Sequence, residues 1–297
     1  MWQKIVSFFM TIIAFFASLF GIGGNKNAKS WHYMNEKYGT EQRQVLDLYI
    51  PKNNDGSCGL ILFIHGGAWI AGDKSDAYSE DTFKYISDDL GMAAATINYR
   101  YISETTDVND ILDDIDAALK TIKAKGAENN VDINRVMLTG TSAGAHLSLL
   151  YAYARKSTAP ITPTCVVSYC APTNLADPNF YYNNNMGDTA FICQLMSAAC
   201  GYTFTESTFS EAIPYLNSVS PLSYVSSDTV PTAMAHGTKD DTVPYSNATA
   251  LDAKLTEFGV KHDFVTYPNS NHSLTNDPDC QQQMNDLMYN YAMAYVK

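Results

Sequence analysis

Positive charge is scarce in this chain of 297 residues. It has 19 lysines and arginines against 31 aspartates and glutamates, which gives a formal net charge of −12. Nucleic-acid binding needs a basic face, so the charge argues against such a partner and weakly disfavours strongly anionic substrates. The sequence also has no repeat of fixed period. With 46% hydrophobic and 17% charged residues, the chain can bury the core of one large α/β domain or two small ones.

Sequence motifs for metals are missing as well. The six cysteines form no CxxC pair, and no His/Cys cluster has the spacing of zinc ligands. Cys165 and Cys170 lie in the apolar run TCVVSYC and are expected to pack as small hydrophobic side chains. Cys193 and Cys200 lie seven residues apart in an irregular region, so they are candidates for a local disulfide in an exported protein.

The first 24 residues differ from the rest of the chain. After Lys4 they contain the uncharged run IVSFFMTIIAFFASLF. One interpretation is a cleaved secretory signal peptide. The other is an uncleaved anchor, a membrane tether through residues 5–24, since about 20 apolar residues just span a bilayer. Both predict a secreted or membrane-anchored extracytoplasmic protein, with a polar linker at 25–41 and a catalytic domain at 42–297.

From residue 44 onwards, apolar strands alternate with helices. Strands are predicted at 44–51 (half-exposed), 59–67, 91–100, 134–140, 161–170, 231–237 and 261–268, and helices at 76–91, 107–126, 143–156, 246–259 and 279–297. Such alternation predicts an α/β fold with a mainly parallel central sheet flanked by helices. Ligands of such sheets bind beyond the carboxyl ends of the strands. The pattern lapses near 172–226, which we expect to be an irregular, lid-like insertion.

A serine lies between small residues in Gly140-Thr141-Ser142-Ala143-Gly144. An apolar strand precedes this sequence and a helix follows it. That context is typical of a nucleophile elbow, a sharp strand-to-helix turn that exposes the serine hydroxyl. The glycines suit the turn because the backbones of helix and strand approach closely there. We therefore predict that Ser142 is a catalytic nucleophile.

A serine nucleophile needs a histidine base and a carboxylate that orients the base. In hydrolases with this elbow, the acid and then the histidine follow the serine in the chain. His262 opens a predicted strand, whereas His272 lies in the loop after the last strand, so His272 is the better candidate. Asp240 and Asp241 both follow the strand PTAMAHG, and strand geometry does not separate them.

An oxyanion hole is the remaining requirement. Fixed N–H donors stabilise the tetrahedral intermediate, and each contributes about 3–4 kcal/mol. One donor is predicted at Ala143, the residue after the nucleophile. Others are expected from the glycine turn HGGAW, residues 65–69, where glycines let backbone amides face a ligand.

In this order, FIHGGAWIAGDK, INYRYISE, TGTSAGAHLS, AHGTKDDTVPYSNA and the late NSNH loop resemble the α/β-hydrolase fold, esterase/lipase division, over about residues 42–297. H-G-G-x-W…G-D-K and H-G-T-x-D-x-x-V-P are similar to bacterial carbohydrate esterases of the feruloyl and acetyl-xylan type. The resemblance implies Asp240 as the catalytic acid and the amides of Gly67 and Ala68 in the oxyanion hole. Ala68 departs from the third glycine of hormone-sensitive-lipase relatives, yet it keeps its N–H.

The residues and the resemblance together predict a serine carboxylic-ester hydrolase that acts on acyl esters of carbohydrates or small molecules, without a metal or cofactor. The alternatives are a lipase-like hydrolase and an arylformamidase-like hydrolase, since the latter group also carries H-G-G-x-W. A non-catalytic binding protein on a hydrolase scaffold is a further alternative. Such a protein should have lost a member of the triad, and here all members are present.

Other polar residues receive structural interpretations. His146, on the helix after the elbow, is expected to be a packed core histidine. His65 and His236 are expected to brace their loops, and Arg100 to support the end of the sheet. Asp73 and Lys74 are expected to pair with each other rather than contact substrate.

Two features of the second half of the chain are not assigned to the site: a group of aromatic residues and two glycosylation sequons. Tyr181, Tyr182 and Phe191 are interpreted either as an aromatic platform for a sugar or phenolic group or as the core of the insertion. The sequons at Asn247 and Asn271 are interpreted as accidental, because a glycan beside His272 would obstruct the site.

Overall fold

The computed structural model describes residues 30–52, 54–77, 79–182 and 187–297. The predicted signal peptide or anchor at residues 5–24 lies outside the described residues. Within the described ranges, no helix combines the length and the apolar character needed to cross a membrane.

Eight strands form one sheet in the described part of the chain. They are β1 (Ser30–Lys37), β2 (Val45–Pro51), β3 (Ser57–Ile64), β4 (Ala93–Ile97), β5 (Asp132–Thr141), β6 (Thr162–Tyr169), β7 (Thr232–Gly237) and β8 (His262–Tyr267). Their order is β1-β2-β4-β3-β5-β6-β7-β8. Strand β2 pairs antiparallel with β1 and β4, and all other neighbours are parallel. The prediction of a mainly parallel sheet is confirmed.

Helices cover both faces of this sheet. They are α1 (Glu80–Lys84), α2 (Val108–Glu128), α3 (Ala143–Ala154), α4 (Asn179–Tyr182), α5 (Thr189–Cys200), α6 (Phe209–Ser218), α7 (Ser246–Glu257) and α8 (Pro278–Tyr295). Short 3-10 or π-helical segments lie at Lys74–Ala77, Tyr85–Asp89, Glu206–Thr208 and Pro221–Tyr224. Helix α2 begins after Asp107, whose carboxylate accepts from the amides of Asn109 and Asp110 in a capping box.

The alternation of side chains along the strands gives the protein two apolar layers. Leu60 and Leu62 of β3 pack in a cluster with residues of α2, α3 and α7. Ile61 and Phe63 point to the other face, into a cluster with residues of α1 and α8. Both faces of β3 are therefore covered by helices, as expected for the central strand of an α/β protein.

The structure corrects three expectations. The predicted linker at 25–41 contains strand β1, so residues 30–37 belong to the sheet. Strand β2 is buried rather than half-exposed, because its side chains enter both apolar clusters, Leu46, Leu48 and Ile50 on one face and Tyr49 on the other. The helix predicted at 76–91 is broken into the short α1 and the π-helical segment Tyr85–Asp89.

The predicted insertion at 172–226 contains α4, α5 and α6, and it is attached at both ends. At its start, the Asp177 carboxylate accepts hydrogen bonds from Ser246 Oγ and, at 3.2 Å, from Asn247 Nδ2. Toward its end, Val219 O contacts His146 Nε2 of α3 at 2.7 Å. The insertion therefore rests on the first turn of α7 and on the helix that follows the predicted nucleophile.

Candidate active site

Ser142 occupies the turn between β5 and α3, with φ 53° and ψ −121°. A positive φ is uncommon for a residue other than glycine. Tight packing fixes this turn: the Ser142 amide donates to Tyr169 O at 2.8 Å. A Cβ atom at Gly140 or Gly144 would lie 2.4 Å or 2.0 Å from Ile64 O, so both positions need glycine. The turn therefore has the strained geometry expected of a nucleophile elbow.

His272 and Asp240 are brought together beside this turn. The Nδ1 atom of His272 lies 2.7 Å from Oδ2 of Asp240, and both side chains are fully buried. Asp241, the alternative acid, is exposed. His262, the alternative base, lies at the edge of the sheet and contacts Asp252 at 3.1 Å. The structure thus places the predicted pair, Asp240 and His272, in contact.

The Asp240 carboxylate is held by four contacts. Oδ2 lies 3.1 Å from Nε2 of His236 in addition to the contact with His272. Oδ1 accepts from the amides of Thr242 and Val243, each at 2.9 Å. Burial alone would raise the pKa of Asp240, but the charges and hydrogen bonds of His272 and His236 hold it well below its usual range. Asp240 is therefore an ionised acceptor for the Nδ1–H group of His272.

Ser142 and His272, the predicted nucleophile and base, share one small cavity. It is lined by Thr141, Ser142, Tyr169, Cys170, His272, Ser273 and Leu274. Ser142 is 6% exposed and His272 is 2% exposed, so only a narrow opening reaches them. The cavity lies at the carboxyl ends of β5 and β6, as expected for a parallel sheet.

The turn at residues 65–69, called the oxyanion loop here, has an unusual backbone. Gly67, Ala68 and Trp69 all have positive φ, at 115°, 50° and 60°. The amides of Ile70 and Ala71 donate back to Gly67 O. Among the turn and loop hydrogen bonds of the described residues, none is donated by the amides of Gly67 or Ala68. These two amides are therefore free of internal turn partners.

The oxyanion loop adjoins Ser142. A Cβ atom at Gly66 would lie 3.0 Å from Thr141 O and 3.5 Å from Ser142 Cβ. Ala143 is the first residue of α3, where amides have no intrahelical acceptor. The three predicted donors, Gly67, Ala68 and Ala143, thus lie on the two segments that meet at Ser142.

His65 braces the base of the oxyanion loop, as expected. Its Nδ1 lies 2.7 Å from Gly66 O, and its Nε2 lies 3.3 Å from an Arg43 guanidinium nitrogen. Its ring stacks on Tyr99 at a centroid distance of 4.2 Å, and the Tyr99 hydroxyl donates to His65 O. Burial lowers the pKa of His65 to about 4, so the ring is neutral. Sequence reasoning assigned no role to Arg43, which no short motif signals, or to Tyr99, although Tyr99 lies in the stretch INYRYISE.

A cleft of about 1580 Å³ begins at Ile70, next to the oxyanion loop. Its walls are the loop after β4, helix α5 and the segment 203–207. Its lining includes the apolar side chains of Ile102, Phe191 and Leu195. Its polar lining consists of Ser103, Thr105, Thr106, Ser197, Thr203, Thr205 and Ser207, the amide of Gln194, and the carboxylates of Glu104, Asp107, Asp110 and Glu206.

The aromatic residues of the insertion divide between the two interpretations. Tyr181 is 4% exposed and packs edge-on against Phe204 and Phe209, so it belongs to the core of the insertion. Phe191 is half-buried and lines the cleft. Tyr182 is 53% exposed. Of the three, only Phe191 therefore lies where it would contact a ligand in the cleft.

Two further structural expectations, for Arg100 and for the pair Asp73 and Lys74, have different outcomes. Arg100 supports the end of the sheet, as expected, by pairing with Asp114 of α2 at 2.8 Å. The expected pair of Asp73 with Lys74 is wrong as a direct contact. Lys74 Nζ instead contacts buried Asp47 at 2.5 Å, and Asp73 accepts from Asn98 at 2.7 Å.

The disulfide candidate is also wrong, because Cys193 and Cys200 are both free. They lie on one helix, α5, where seven residues rise about 10.5 Å, which exceeds the Cα separation of a disulfide. Cys165 and Cys170 are buried free thiols, as expected. Among the sequons, Asn247 is fully buried and donates to Asp177, which makes it inaccessible to glycosylation. Asn271 is exposed.

One group of side chains has the composition of a metal site. Cys170, His236 and Asp240 have potential ligand atoms within 4.8 Å of one another. Both oxygens of Asp240 are already acceptors for the four groups described above. The cluster is therefore part of the surroundings of the candidate catalytic acid, Asp240, rather than a separate site.

Comparison with known proteins identifies the family to which this site belongs. The family model BD-FAE matches residues 46–255, more than half of the chain. Isoprenylcysteine alpha-carbonyl methylesterase of Arabidopsis thaliana is 25% identical over 80% of the chain, and esterase LipQ of Mycobacterium tuberculosis is 26% identical over 72%. The chain spans only 55% and 50% of the lengths of these two relatives.

Solved structures share the fold. A truncated carbohydrate esterase from gut microbiota superposes with a TM-score of 0.71 at 20% identity, over 92% of this chain and 100% of the other. Esterase B from Lactobacillus rhamnosis superposes with a TM-score of 0.67 at 18% identity, over 99% of this chain and 94% of the other. At these identities the likeness establishes the α/β-hydrolase fold and leaves activity to be argued from the site.

Proposed function

From the premise that the chain belongs to the BD-FAE family, we propose that it is a serine carboxylic-ester hydrolase. The observation that carries the proposal is the buried contact of 2.7 Å between His272 Nδ1 and Asp240 Oδ2, in a cavity shared with Ser142. Esterases among the relatives and structural neighbours support the same reaction class.

In the proposed mechanism, Ser142 Oγ attacks the ester carbonyl carbon while His272 Nε2 takes its proton. Asp240 fixes the ring through Nδ1–H and stabilises the imidazolium that forms. His272 then gives the proton to the leaving alcohol, which leaves an acyl group on Ser142. Water, deprotonated by His272, attacks the acyl carbon, releases the carboxylic acid and restores the serine.

The negative charge that develops on the carbonyl oxygen needs fixed donors. The amides of Gly67, Ala68 and Ala143 are assigned to this role because they adjoin Ser142 and have no partner within turn or helix. Each such donor contributes about 3–4 kcal/mol of transition-state stabilisation in comparable enzymes. The positive φ values of the loop fix these amides before substrate binds.

The proposed substrates are acyl esters of carbohydrates or small molecules. The described residues that line the cleft include four carboxylates and seven hydroxyl side chains but no lysine or arginine. Such a lining suits neutral, hydroxyl-rich alcohols and repels anionic ones, while Phe191 offers an aromatic face. We further propose export, on the basis of the uncharged run in residues 5–20; mass spectrometry of the native protein distinguishes a cleaved from an uncleaved N-terminus.

Replacement of the nucleophile tests the proposal. The Ser142→Ala variant should hydrolyse p-nitrophenyl acetate at least 10³-fold more slowly than the parent, because the nucleophile is gone. Ser148→Ala is the matched control, since Ser148 lies on the same helix and donates only to Gly144 O. It should retain the parent rate. Equal rates for parent and Ser142→Ala would refute the mechanism.

A substrate panel separates the alternatives. Acetylated xylan, methyl ferulate, short p-nitrophenyl esters and N-formylkynurenine represent the carbohydrate esterase and arylformamidase classes, and long-chain p-nitrophenyl esters represent lipases. We expect the highest kcat/KM on esters of the first three kinds. A preference for N-formylkynurenine or for long acyl chains would favour the corresponding alternative, and no turnover of any ester would favour a binding protein.

A further inference from the structure

His146 connects three parts of the site. It lies one helical turn after Ser142, and its amide donates to Ser142 O at 3.0 Å. Its ring is fully buried. Nδ1 accepts from the indole Nε1 of Trp69 at 3.2 Å, and Nε2 contacts Val219 O at 2.7 Å. The ring thus joins the elbow helix, the oxyanion loop and the end of the insertion.

The direction of these hydrogen bonds follows from chemistry. Burial lowers the pKa of His146 to about 4, so the ring is neutral near pH 7 and carries one proton. A carbonyl oxygen only accepts, so the proton is on Nε2 and is donated to Val219 O. Nδ1 then carries no proton and can accept a hydrogen bond. The indole N–H of Trp69 can only donate, so it donates to Nδ1. Both polar groups are satisfied in a site without water access.

The backbone conformation of Trp69 is unfavourable, so contacts of its side chain are needed to hold it in place. It is the third consecutive residue with positive φ, and a bulky residue in that region costs about 1–3 kcal/mol. Its side chain is 2% exposed, and its backbone oxygen accepts from the Ile102 amide at 3.0 Å. The indole also packs edge-on against the His146 ring at a centroid distance of 5.1 Å. The side chain of Trp69 is therefore held at its polar end by one acceptor.

We propose that His146 is a positioning residue of the active site, which holds the oxyanion loop through the hydrogen bond of Nδ1 with the Trp69 indole. This inference rests on the proposed esterase function. The amides of Gly67 and Ala68 directly precede Trp69 in the chain, so a shift of the indole shifts them. Loss of the bond should therefore weaken transition-state stabilisation while substrate binding in the cleft remains.

Asparagine and glutamine variants separate the two nitrogens of His146. The side-chain amide of asparagine reaches about as far as Nδ1, and that of glutamine about as far as Nε2. His146→Asn should keep an acceptor for Trp69 and retain kcat within about 5-fold. His146→Gln and Trp69→Phe should each lower kcat by about 10- to 100-fold with KM within about 2-fold, as expected for lost positioning. His262→Gln, at the edge of the sheet, is the histidine control and should match the parent.

The double variant His146→Gln/Trp69→Phe tests the contact itself. If the bond is what matters, the double variant should have the kcat of the worse single variant. The inference is overturned if His146→Gln and Trp69→Phe retain kcat within 2-fold, or if their effects multiply. It is also overturned if His146→Asn loses as much kcat as His146→Gln. Should His146→Gln fail to fold, kcat and KM of Trp69→Phe decide alone, since that variant keeps an aromatic ring in place.

The parent and Ser142→Ala are assayed in the same series on p-nitrophenyl acetate. An inactive parent, or an active Ser142→Ala variant, defeats the proposed function and this inference with it. An active parent with an inactive Ser142→Ala variant and unchanged Trp69→Phe kinetics defeats the inference alone.

Discussion

Replacement of Asp240 by asparagine should change the proton pattern of the site rather than its shape. The carboxylate Oδ1 accepts from two backbone amides, which only donate, so the asparagine oxygen must take that place. Its NH₂ group then faces His272 Nδ1. Nδ1 must become an acceptor, which moves the ring proton to Nε2, where it blocks proton transfer from Ser142. Triads with this tautomer lose about 10⁴ in kcat, equivalent to about 5.5 kcal/mol of activation free energy.

The assay is kcat for p-nitrophenyl acetate at pH 7, with the exposed neighbour variant Asp241→Asn as the matched control. We expect a loss of about 10⁴ for Asp240→Asn and the parent rate for Asp241→Asn. Near-ultraviolet circular dichroism of both variants checks that the fold is intact. An Asp240→Asn variant that folds and retains kcat within 10-fold would refute the assignment of Asp240 as the group that fixes the tautomer of His272.

Three other perturbations have defined outcomes. Gly144→Ala would place a Cβ atom 2.0 Å from Ile64 O and 2.5 Å from His65 O. Urea denaturation should therefore show a free energy of unfolding that is lower than that of the parent by about 1–3 kcal/mol. An unchanged denaturation midpoint would contradict this close packing around Gly144. The lowered pKa of Asp240 contributes stability above the pKa of about 3.9 of an unfolded aspartate, and that stability is lost as the pH falls through the folded pKa. Between pH 6 and pH 3 the free energy of unfolding should therefore fall more for the parent than for Asp240→Asn. An equal fall in the two proteins would contradict the lowered pKa of Asp240. All six cysteines are free, so the denatured protein should titrate six thiols without reductant, and four thiols would indicate a disulfide.

The central part of the fold could be predicted from the sequence because local pattern and tertiary structure agree there. Strands β3, β4 and β7 and the carboxyl-terminal halves of β5 and β6 are buried and largely apolar, and α2 has a regular apolar spacing. Strand β1 was missed because it is an edge strand with few buried residues, and its register is set by pairing with β2 rather than by its own sequence. The break between α1 and the segment Tyr85–Asp89 could not be predicted either, because the helical pattern of the sequence continues across the break.

The candidate site, like the fold, could be predicted from the sequence only in part. The order of serine, acid and histidine predicted His272 as the base and left Asp240 and Asp241 as possible acids. The family resemblance implied Asp240, which the structure places in contact with His272. The choice between Asp240 and Asp241 could not be made from strand geometry, because it depends on a turn in which one carboxylate oxygen accepts from two following amides. The cleft could not be predicted at all. Its walls come from segments far apart in sequence, and packing of the insertion against the loop after β4 defines its shape.

The attachment of the insertion has a consequence for how the cleft can change during evolution. Polar contacts at Asp177 and at Val219 tie its ends to α7 and α3, and the residues of the proposed triad lie outside it. The chain between these two positions forms one wall of the cleft, including Phe191. If the cleft binds the alcohol part of the substrate, as proposed, changes in this interval alone can remodel alcohol recognition while Ser142, Asp240 and His272 keep their geometry. A laboratory library confined to it would explore new substrates against a constant catalytic background.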